Sequence, residues 1–127
     1  MPGPVTDVHV HVQPWEMIRA PVLAAMRKGR SDLDEIERAF ADPKVLLAHM
    51  DREGVERMVL INYESPDVMG FTTATNDWVL AYTATERARL LPCVGINPRF
   101  ETDVRGRAER LADGGARLFK VHGPHML

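Results

Sequence analysis

Cysteine is nearly absent: Cys93 stands alone among 127 residues. That excludes an internal disulfide framework, and its place in an apolar run reads as a small buried hydrophobe in a reducing, cytoplasmic setting. Long apolar runs are missing too, since no stretch approaches the roughly 20 residues of a membrane-spanning helix. Met1-Pro2-Gly3-Pro4-Val5 lacks the basic-then-apolar order of a signal peptide. Nor is there a block of one charge. The 16 basic and 18 acidic residues interleave to a net charge of -2, which gives no patch for nucleic acid or anionic lipid. No Gly-x-Gly-x-x-Gly follows the first strand-like segment and no P-loop is present, which lowers the nucleotide-binding option. The expectation is a single soluble domain over residues 1–127, with a small-molecule substrate and neither a nucleic-acid nor a membrane partner.

What is present is an alternation of strand and helix signals. Val5 to Val12 has valines at 8, 10 and 12 on one side and Asp7, His9 and His11 on the other, the period of a β-strand. Two helices are expected before the next strand: Asp32 to Phe40, with Ser31 as N-cap, and Pro43 to Glu53, between Asp42 and Gly54. Arg57 to Asn62 is a nearly continuous apolar run, as in a parallel strand buried on both faces. Thr73 to about Arg87 forms a helix with a stripe of Ala74, Trp78, Ala81, Tyr82 and Thr85. Leu90 to Asn97 reads as a strand weakened by Pro92 and Gly95. Asp103 then caps a helix with Val104, Ala108 and Leu111 on one face, stopped by Gly114-Gly115, and a last strand covers Ala116 to Val121. Repeated β-helix units of this kind imply an α/β fold with a parallel sheet under helical cover. The pattern alone leaves an open sheet and part of a (β/α)8 barrel as alternatives.

The chemistry concentrates at strand ends. His9 and His11 lie on one side of their strand, about 6.6 Å apart along it, so both imidazoles can meet one ion. Zinc would hold each nitrogen at roughly 2.0–2.1 Å. Asp7 shares that side and is placed to orient a ligand histidine from behind. Chance placement of two histidines is the alternative. Lys120 and His122 repeat the two-residue spacing on the last strand, near the carboxyl end where α/β folds put their sites. An inward lysine must be paired or have its pKa lowered; a lysine that snorkels to solvent is the competing reading. Asn62, Asn97 and Arg99 follow the second and third strands and are the candidate substrate contacts, with turn or capping roles as the alternative. Arg99 suits a two-pronged grip on a carboxylate. Trp15 reads as core, with a pocket wall as the alternative, and His125 as a loop residue.

Taken together, Asp7-Val8-His9-Val10-His11, Val59-Leu60-Ile61-Asn62, Gly95-Ile96-Asn97-Pro98 and Gly115-Ala116-Arg117-Leu118-Phe119-Lys120-Val121-His122 resemble the amidohydrolase-related (amidohydrolase 2) family. The resemblance runs over nearly the whole chain. It implies a (β/α)8 barrel holding a divalent metal, most often zinc, with His9 and His11 as first-strand ligands; Lys120 and His122 are the candidate catalytic groups from their own placement on the last strand. Hydrolysis or non-oxidative decarboxylation of a small carboxylated or cyclic substrate would follow. Relatives complete the site with histidines on the fifth and sixth strands and an aspartate on the eighth, none of which has a counterpart here. A barrel needs roughly 200 or more residues, so the chain corresponds to an N-terminal half, to be completed by a C-terminal half or by self-association. Two other readings stand beside this one: a non-catalytic half-barrel that works as an assembly module, and an open α/β domain with incidental histidines.

Overall fold

The computed structural model describes residues 3–126. Four parallel strands, β1 (Val5–Val10), β2 (Val55–Ile61), β3 (Leu90–Val94) and β4 (Leu118–Phe119), pair in chain order and curl into a half-barrel. Among the described residues no helix is long and apolar enough to cross a membrane.

Among the described residues five α-helices join the strands: α1 (Ala20–Arg27), α2 (Leu33–Ala41), α3 (Pro43–Glu53), α4 (Ala74–Tyr82) and α5 (Val104–Asp113). Local chemistry sets their ends. The Asp42 carboxylate accepts from the Lys44 N–H at the start of α3, where Pro43 needs no hydrogen-bond partner for its nitrogen. Gly54, at φ 70°, then ends α3 in the left-handed conformation that side chains disfavour. Asp103 caps α5 by accepting from the Gly106 N–H.

One face of the sheet carries the main core. Met58 and Leu60 of β2 and Leu90 and Val94 of β3 pack against Leu46 and Met50 of α3, Val79 and Tyr82 of α4 and Leu111 of α5. On the opposite, concave face Val59, Ile61, Tyr63 and Cys93 make a smaller cluster. β2 is therefore buried on both sides at its carboxyl end, as its unbroken apolar run requires. Pro92 is tolerated in β3 because pairing with β4 starts only at Cys93 and Leu118, while its carbonyl still accepts from the Arg117 N–H.

Several details differ from the sequence expectation. α1 is an additional helix, opened by Pro21 in its first turn; with α2 it covers a satellite cluster around Trp15, Ile18 and Phe71. Trp15 is core, as its sequence context suggests. The cap position of α2 is Asp32 rather than Ser31, and its carboxylate pairs with Arg30 instead of a helix N–H. α4 stops at Tyr82 and buries Thr75, Asn76, Val79 and Tyr82; of the expected stripe Tyr82 is buried and Trp78 half-buried against the core, while Ala74, Ala81 and Thr85 are exposed. Polar partners at the strand ends, described below, turn the face of Thr75 and Asn76 inward. β4 shrinks to two residues because no further strand pairs with it among the described residues.

Candidate active site on the concave face

His9 and His11 sit at the carboxyl end of β1 with their Nε2 atoms 3.1 Å apart. The contact is an imidazole–imidazole hydrogen bond, a few tenths of an ångström shorter than the roughly 3.3–3.4 Å that separates two nitrogens held at about 2.0–2.1 Å on one tetrahedral zinc. Burial lowers the pKa of His11, and His9, Lys120 and His122 lower it further. The shift favours the neutral imidazole, the form that binds metal. Among the described residues, no group of three or more His, Cys, Asp or Glu side chains is arranged around one ion.

The curl of the sheet makes this grouping possible. In a flat sheet, β1 and β4 would be separated by three strand spacings, roughly 14 Å. Here Lys120 and His122, just past β4, lie within electrostatic reach of His11. Leu118 is in register with Cys93, a concave-face residue, and the alternation from Leu118 carries Lys120 and His122 to that same face.

Tyr63 and His125 join them. The His122 ring stacks on Tyr63 at 5.5 Å and meets His125 at 3.9 Å between centroids, while the Tyr63 hydroxyl hydrogen-bonds His125 Nδ1 at 3.0 Å. His125 has its pKa lowered by burial and by its neighbours His122 and Lys120, and burial raises that of Tyr63. The sequence pointer to His125 is slight: Gly123-Pro124 starts a short 3-10 turn that folds the chain back over Tyr63. His122 Nδ1 is buried and has no hydrogen-bond partner among the described residues.

Asp7 works differently from expectation. Its carboxylate accepts from the backbone N–H of His9 at 3.0 Å rather than from an imidazole. The β1–β2 register shifts between Asp7 and Val10, and Asp7 pairs with Met58, a residue of the helix-side core. The irregularity interrupts the strict alternation and lets a short side chain fold onto the backbone two residues ahead.

The candidate substrate contacts also land elsewhere. Ile61 and Tyr63 face the concave side, so the residues between and after them, Asn62 and Glu64, turn toward α4. Asn62 is fully buried; its Nδ2 donates to the Val12 carbonyl and its Oδ1 accepts from the Thr75 hydroxyl. Asn97 is buried as well, with its N–H donating to Glu64 and its Oδ1 accepting from the Arg99 N–H. The Arg99 side chain pairs with Asp67 at 3.2 Å on the surface.

Glu64 is the centre of this interior network. It accepts from Asn76 at 2.9 Å and from the Asn97 N–H at 3.1 Å, with Arg107 4.0 Å away. Asn76 also closes a two-way bond with Gly95, donating to its carbonyl and accepting from its N–H. Neither Thr75 nor Asn76 stands out in the sequence, where polar residues in the first turn of a helix are ordinary.

No protein-family model matches the chain, and no curated protein or solved structure compared with it matches either.

Proposed function

We propose that the chain is the N-terminal half of a (β/α)8 barrel enzyme of the amidohydrolase-related type, a metal-dependent hydrolase or non-oxidative decarboxylase acting on a small carboxylated or cyclic substrate. The single observation that carries this reading is the His9–His11 pair, with Nε2 atoms 3.1 Å apart at a strand carboxyl end. In this reading His9 and His11 hold a divalent metal, zinc by preference. Such an ion, when bound, lowers the pKa of coordinated water toward 7 and polarises a carbonyl or carboxylate. The Lys120 ammonium attracts and orients the substrate's carboxylate from across the concave face. His122 holds or passes a proton at its unpartnered Nδ1, and its stacking on Tyr63 fixes the ring plane.

A specific observation favours a second reading, the assembly module. Val8 on β1 is 64% exposed and Val121 beyond β4 is 76% exposed, so both margins of the sheet present apolar side chains. The two readings meet if a second half supplies the ligand that two histidines lack, since catalytic zinc sites generally use three protein ligands plus water.

Zinc titration with a native mass measurement on the same sample is the test. Weak one-to-one uptake that His11→Ala abolishes is expected, tightening when a complementary half is supplied. A chain that takes up no zinc at excess metal overturns the enzyme reading and leaves the assembly module.

A further inference from the structure

We infer that Thr75 is a positioning residue for the His9–His11 pair, acting through Asn62 on the backbone that follows His11; the inference rests on the metal-site reading above. The last rung between β1 and β2 joins Val10 to Leu60, so regular strand pairing ends just before His11. Beyond it the two chains are tied by side chains. Asn62 Nδ2 donates to the Val12 carbonyl at 2.9 Å, and Gln13 Nε2 makes a longer contact of 3.4 Å to the Ile61 carbonyl. The Asn62 bond therefore replaces a backbone rung across His11.

Its geometry has one solution. The Val12 carbonyl only accepts, so the amide must present Nδ2 to it and Oδ1 to the other side. The Thr75 hydroxyl, 3.0 Å from Oδ1, then donates and holds the amide in that orientation. All three groups are buried, where no water stands ready to replace a lost donor. Asn76, next in the helix, grips Gly95 and Glu64 in the same way, so the first turn of α4 is bound to the ends of β1, β2 and β3.

Thr75→Val keeps the shape and removes the donor; Thr75→Ser keeps the donor. Thr83→Val is the control, because Thr83 is equally buried at the same helix's far end and, among the described residues, its hydroxyl bonds just the Val79 and Leu80 carbonyls. In the metal-free chain the histidine ring resonances report the pair directly, and zinc titration reports its use. Thr75→Val is expected to shift the His9 and His11 ring resonances and to weaken zinc binding about 10-fold, within the range for loss of a group that orients a ligand. Thr75→Ser should restore both, and Thr83→Val should lower the melting temperature while leaving both unchanged. Wild-type resonances and affinity in Thr75→Val, or equal changes in Thr83→Val, overturn the positioning role. If the unmodified chain takes up no zinc, the metal reading fails by itself, and the ring resonances still decide whether Thr75 positions the pair.

Discussion

The middle and the margins of the sheet are built on different terms. Met58 through Ile61 in β2 and Cys93 and Val94 in β3 are buried, while at the margins Val5, Val8, Phe119 and Val121 are exposed. Phe119 is in register with Val94 on the helix side, yet no helix covers it among the described residues. The candidate chemistry lies almost entirely at the margins, with His9 and His11 on β1 and Lys120 and His122 past β4. Burial is greatest where strands have neighbours on both sides, and the candidate groups sit on or just past the strands that have one. This division lets the margins change or accept a partner without dissolving the core.

The largest effect that tests this contrast is a core truncation. Leu60→Ala, at a fully buried site, should cost about 2–5 kcal/mol in urea unfolding, while Val8→Thr at the margin should stay within about 0.5 kcal/mol. Comparable losses at both sites would erase the distinction. A second, slightly smaller effect is expected at Gly95, where a Cβ would lie 2.6 Å from the Tyr63 Cβ and 2.7 Å from its Cα. Backbone on that side cannot step away as a flexible side chain would. Gly95→Ala should therefore cost about 1–3 kcal/mol in the same assay and loosen the ring stacking of Tyr63 on His122.

At the margins themselves the expected change is in association rather than stability. Unpaired strand edges and exposed valines favour pairing with another chain, and edge lysines oppose it. Val8→Lys together with Val121→Lys should lower the concentration-dependent mass in light scattering while moving the melting temperature by little. A double variant that still self-associates as the unmodified chain does would place the contact elsewhere.

The same contrast explains what the sequence makes legible. Period-2 and apolar-run signals identify the parallel strands because each strand's burial is written in its own residues. His9 with His11 and Lys120 with His122 are legible as pairs because a two-residue spacing keeps both members on one side, although the shift in β1 and the early end of β4 are not written there. Asn62 and Asn97 are not, because their bonds go to Thr75, Val12, Glu64 and Arg99, and nothing local says that a polar residue after a strand turns inward to a helix. The shift at Asp7 depends on the register with β2, which one strand's sequence does not carry. α1 escapes because Ala-Pro-Val-Leu-Ala-Ala-Met resembles loop and helix equally until the cluster around Trp15 draws it in.

The smallest expected effect probes the charge inside the central network. Burial raises the pKa of Glu64 from its ordinary value near 4.5, opposed by the Asn97 N–H, Arg107 and Asn76 and reinforced by Glu101. A carboxyl whose folded pKa is raised favours folding most when protonated. Its contribution is fully present below the unfolded value and is lost as pH rises through the folded value. The stability of the unmodified chain relative to Glu64→Gln should therefore fall as pH rises from about 4 toward neutrality, whatever constant offset the amide introduces by facing the donors of Asn76 and Asn97. Melting curves of both proteins across that window measure it. An unmodified chain that instead gains stability relative to the variant as pH rises would mean that the hydrogen bonds and Arg107 outweigh burial, and that the centre of the sheet is held by its buried charge as well as by its apolar packing.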